Sequence, residues 1–111
     1  MTYHWFLDRQ GNPISEAEWA RLRRGTNGER NRENIVVKQE HVGTYFVSTV
    51  WLGINHQYGE GQPLIFETMV FDDRKEFGHE DVYMERYATE AEAVAGHAIA
   101  VEWARTEGEQ A

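Results

Sequence analysis

Between residues 45 and 71 the hydrophobic pattern has a period of two. In "TYFVSTVWLG", Tyr45, Val47, Thr49 and Trp51 fall on one face of an extended chain, and Phe46, Ser48, Val50 and Leu52 on the other. Both faces are largely apolar, which predicts a central strand covered on both sides. "PLIFETMVF" repeats the pattern: Leu64, Phe66, Thr68 and Val70 share one face, and Ile65, Glu67, Met69 and Phe71 the other. The two runs are expected to pair, with Glu67 the one charged interruption. Further strands are expected at "YHWFL" (3–7), "IVVKQEHV" (35–42) and "VYMERYA" (82–88).

Helical signals sit at two places. Ser15 and Glu18 form a capping box with Ile14 and Trp19 placed for a hydrophobic staple, predicting a helix over about 16–24 that buries Trp19 and Leu22 and stops at Gly25. Thr89 and Glu92 form a second box, opening a longer helix over about 90–106. That helix is unusually apolar. Val94, Ala98 and Val101 make one stripe, and Ala95, Ile99 and Trp103 another, with Glu102 the only charge between Ala93 and Ala104. One stripe is expected to cover the sheet. The other is expected to meet either the first helix, through Trp19 and Leu22, or a second copy of the chain in a homodimer, with Trp103 as the anchor.

The order β-α-β-β-β-β-α with short connections predicts an α+β fold. It is an antiparallel β-meander with a short N-terminal helix and a longer C-terminal helix packed on one face. At 111 residues, one domain spanning 1–111 is expected. No cysteine is present, which rules out disulfides, thiol nucleophiles and cysteine-ligated metals. "MTYHWFLDRQ" lacks the basic start and apolar run of a secretion signal, and no stretch is apolar enough to span a membrane. A cytoplasmic protein is expected.

Charge changes the picture locally. The chain carries a net −8, yet "RLRRGTNGERNR" (21–32) holds five arginines against the single acid Glu29, a local +4 that leaves −12 elsewhere. Bulk attraction to nucleic acid is therefore not expected, although a local contact through Arg21–Arg32 is a second alternative. Arg23 and Arg24 suit carboxylate or phosphate recognition. They also suit the C-terminal dipole of the first helix.

The loop "GINHQYGEGQP" (53–63) carries His56, Tyr58 and Glu60 among glycines 53, 59 and 61. The bland reading is a long hairpin connection, and the functional one is a recognition loop. It lacks the lysine–hydroxyl ending of a phosphate-binding loop. A His56–Glu67 acid–base pair, with Arg86 as Glu67's cross-strand partner, defines the enzymatic alternative, a small hydrolase or nucleotide-handling enzyme. His79, Glu80 and Asp81 match no defined metal spacing, and His97 is expected to be hydrogen-bonded at the core. No catalytic set, metal or cofactor is assigned. The binding candidates are His56, Tyr58, Glu60, Arg23, Arg24 and Trp103.

The run S-T-V-W-L-G, then N-H, a Gly-rich turn and P-L-I-F-E-T-M-V-F (48–71) resembles a group of small uncharacterised proteins from phages, prophages and bacteria. "RYATEAEAVAGH" (86–97) resembles their tail, and "DRQGNPISEAEWA" their N-terminal part. The resemblance covers about half the chain and implies a phage or mobile-element accessory protein. Such a protein would act by contact with a host protein or with itself.

Overall fold

The computed structural model describes residues 3–25, 30–57, 61–74 and 81–110. Helix α1 spans Glu16–Arg24, a short α2 spans Arg32–Ile35, and four strands follow: β1 Val36–Val42, β2 Tyr45–Trp51, β3 Phe66–Asp72 and β4 Asp81–Tyr87. A long α3, Glu90–Gln110, closes the order. The sheet is the expected antiparallel meander, β1-β2-β3-β4. The fold is α+β.

Cross-strand register fixes which side chains share a face. Val47 pairs with Val70 and Thr49 with Thr68, and all four are completely buried under α3. The helix seats itself through Ala93, Gly96, His97, Ala100 and Ala104, small or bonded residues that allow close approach to the strands. A Cβ at Gly96 would collide with the ring of Tyr87. The Trp103 ring lies 5.7 Å from Tyr45 and 5.2 Å from Tyr83, so it anchors α3 to its own sheet.

The apolar stripes therefore divide otherwise than expected. The seam facing the sheet draws from neither stripe intact, and Val94 and Ile99 point outward, 55% and 64% exposed. Helix α1 does not cover them. Trp19 and Leu22 instead join Leu7, Trp51, Ile65, Phe66, Tyr87 and Ala93 at the end of the core nearest the start of α3. Trp19 donates its indole N–H to the Leu52 carbonyl (2.9 Å). This approach is possible because Gly53, at φ 74°, has no side chain where the two indoles meet.

The segment 3–7 departs from the expected strand. It makes only isolated bridges, Phe6 with Ile54 and Leu7 with Pro13. Its work is to hold the 53–57 loop: Tyr3 donates to the carbonyls of Asn55 and Gln57, and Asn55 donates to the carbonyl of Trp5. Arg9 ties this corner together, binding Glu90 at 2.8 Å and the carbonyl of Asn34 at 3.1 Å.

The second departure matters most for function. β2 is internal in the sheet, as expected, but it is covered on one side only. Among the described residues only the short α2 touches, at one edge, the face formed by Phe46, Ser48 and Val50 of β2, Glu67, Met69 and Phe71 of β3, and Met84 and Arg86 of β4; no long helix covers it. Period-two alternation reports two apolar faces, but it does not report whether a layer exists to cover each.

Candidate functional site

The uncovered sheet face holds a cleft of about 330 Å³. Its floor is Phe46, Val50, Leu52, Met69 and Phe71, and Ile35 and Val36 rise at one side. Cross-strand pairing places Phe46 beside Phe71 and Met69 beside Met84, which is 45% exposed. Polar groups form the rim: Arg30, Arg32, Gln39, Ser48 and Glu67. Gln39 is held by two contacts at 2.8 Å, accepting from Arg32 and donating to the Ser48 hydroxyl. The Ser48 oxygen thus faces an amide, which is no base. An apolar floor with a fixed polar rim is the composition of a binding surface.

Glu67 sits at the far end of this face, only 7% exposed. Arg86, its cross-strand neighbour, donates to it at 2.9 Å, as the spacing of charges suggested. His56 lies within electrostatic reach of both. Burial, then the positive charge of Arg86, lowers its pKa below the usual histidine range, partly offset by Glu67. The imidazole is accordingly neutral at pH 7. The carboxylate that a His56 mechanism would need is already committed to the guanidinium, so these groups form a satisfied ion pair with a neutral histidine nearby.

Arg23 is half structural. Its guanidinium donates to the carbonyls of Trp51 (2.5 Å) and Leu52 (3.3 Å) and lies under 6 Å from the Trp19 and Trp51 rings. Arg24 is exposed at the end of α1. Trp103 is partly buried and packs against Tyr45 and Tyr83. Tyr58 and Glu60, like His79 and Glu80, lie outside the described residues.

One polar chain was invisible in the sequence. The His97 Nδ1 meets the Thr49 hydroxyl at 2.7 Å, its Nε2 meets Glu40 at 2.8 Å, and Thr49 in turn meets Thr68 at 2.5 Å. Hydroxyl, imidazole and carboxylate stand in the order used by nucleophilic hydrolases. Here Thr49 and His97 are 0% and 1% exposed, so the chain is a buried strut between β2, β1 and α3. Among the described residues no group of three or more His, Asp or Glu side chains converges as a metal site requires. None of their helices is long and apolar enough to cross a membrane.

Comparison with protein-family models, with curated proteins and with solved structures finds no match for this chain.

Proposed function

We propose that this chain is a non-enzymatic binding module that engages another protein through the uncovered face of its sheet. The observation that carries this reading is the asymmetry of the sheet. One face is covered by α3, while the other holds half-buried Phe46, Val50, Met69 and Phe71 along a shaped cleft beside exposed Met84. Aromatic and methionine side chains at such a surface give large contact area and adapt to their partner. The residues with catalytic potential are spent elsewhere: Glu67 on Arg86, and His97 in the core strut.

The resemblance to small phage, prophage and bacterial proteins bears on the kind of partner. A mobile-element accessory protein of this sort would meet a host protein in the cytoplasm. A second copy of the chain is the competing occupant, and the outward Val94 and Ile99 of α3 offer it a separate surface.

Selection from a random displayed-peptide library tests the reading. Recovered binders should lose at least about tenfold in affinity on Met84→Asp and be indifferent to Ile99→Asp. Binders that respond to Ile99→Asp alone would move the site to the helix and contradict the proposal.

A further inference from the structure

Two clefts meet at Arg30 and Ile35. Beside the open-face cleft lies another of about 300 Å³, lined by Trp19, Ala20, Arg23, Arg24, Arg30 and Ile35. Three arginines line it in a chain of net charge −8. Arg9, Arg21, Arg74, Arg86 and Arg105 are each paired with a carboxylate. Among the described residues, by contrast, neither Arg24 nor Arg30 makes a hydrogen bond or ion pair through its side chain. Arg23 is held in place by two carbonyls, and after burial the charge of Arg30 is the next influence weakening its grip on its proton. Like charges kept close, with no described acid paired to Arg24 or Arg30, favour an anion arriving from outside.

We infer that Arg23, Arg24 and Arg30 anchor a carboxylate of the partner, an Asp or Glu flanking a short apolar segment that lies on Phe46, Val50 and Met69. This inference rests on the open sheet face being the binding surface. Charge complementarity selects the occupant: guanidiniums take carboxylates two bonds at a time, and the adjoining floor takes aliphatic or aromatic side chains. A polyanion fits less well, because the −12 carried outside residues 21–32 repels an extended run of phosphates.

The test uses three fluorescein-labelled probes read by anisotropy. Two are mixtures of short peptides with a core randomised among Leu, Ile, Val, Phe and Met, flanked by Glu in one and by Lys in the other. The third is oligo-dT. The Glu-flanked mixture should bind at least about tenfold more tightly than the Lys-flanked one. The double variant Arg24→Glu/Arg30→Glu should reverse that preference. Both positions are exposed, so the fold should persist, and circular dichroism of the variant checks this. Equal affinity for both mixtures, with both weakened by Met69→Asp or Met84→Asp, would overturn the carboxylate anchor and leave the open-face reading standing. Binding of neither mixture would overturn both. Oligo-dT bound more tightly than either peptide mixture, and released by the double arginine variant, would overturn the inference in favour of nucleic acid.

Discussion

His97 shows what single residues contribute. Its two nitrogens join Thr49 on β2 to Glu40 on β1, and Thr49 passes the chain on to Thr68 on β3. Removing one link leaves neighbours buried without a partner, which costs more than the bond itself contributes. Thr49→Val preserves shape while stranding His97 Nδ1 and Thr68 Oγ1. It should lower the urea-unfolding free energy by about 2 kcal/mol, and a loss near zero would mean that the strut carries no weight. The sequence placed His97 at the core from its apolar helical neighbours. It could not supply the partners, because Glu40 and Thr49 reach it only through the β1–β2 register, in which Glu40 stands opposite Val47 and Lys38 opposite Thr49. The Glu67–Arg86 pair was legible for the opposite reason: Glu67 was the one charge in an apolar run, and Arg86 was the basic residue on the neighbouring strand. Nothing marked Arg23 as a backbone pin, since that role depends on where α1 meets the end of β2.

Among the elements, α1 has the extent its caps predict, whereas α3 runs past residue 106 to Gln110 and was the least legible in orientation. Its capping box at Thr89 and Glu92 forms as the spacing requires, with the Glu92 N–H on the Thr89 hydroxyl at 3.1 Å. Its apolar composition could not say which side faces the sheet, because alanines and one glycine make the seam and larger Val94 and Ile99 stay outside. Close packing chose small residues over hydrophobic ones. The tie from α3 to β1 also makes the helix pH-sensitive. The hydrogen bond from His97 holds the Glu40 carboxyl below its ordinary value of 4.5. A carboxylate depressed in the folded state adds stability above the unfolded pKa, and that stability is lost as pH falls through the folded value. Unfolding free energy should therefore drop on acidification below about pH 4.5 more steeply in the wild type than in Glu40→Gln. The difference should be on the order of 1 kcal/mol or less, since Glu40 is about one-third exposed. Parallel pH profiles for the two proteins would show that this tie does not titrate with folding.

At the scale of the whole molecule, the fold is two layers with one face left open. The meander and the two longer helices were readable from periodicity and caps, because those signals are local. The open face was not, because a strand with apolar residues on both sides reads the same whether its second face meets a helix or a partner. If recognition occurs at that face, methionine methyl NMR reports on it directly. Met69 and Met84 are cross-strand neighbours there, while Val94 and Ile99 mark the outer face of α3. Titration with the tightest peptide from the displayed library should shift the Met69 and Met84 methyl signals in saturable fashion and leave those of Val94 and Ile99 in place. Shifts confined to Val94 and Ile99, with both methionine signals unmoved, would contradict the open sheet face as the binding surface.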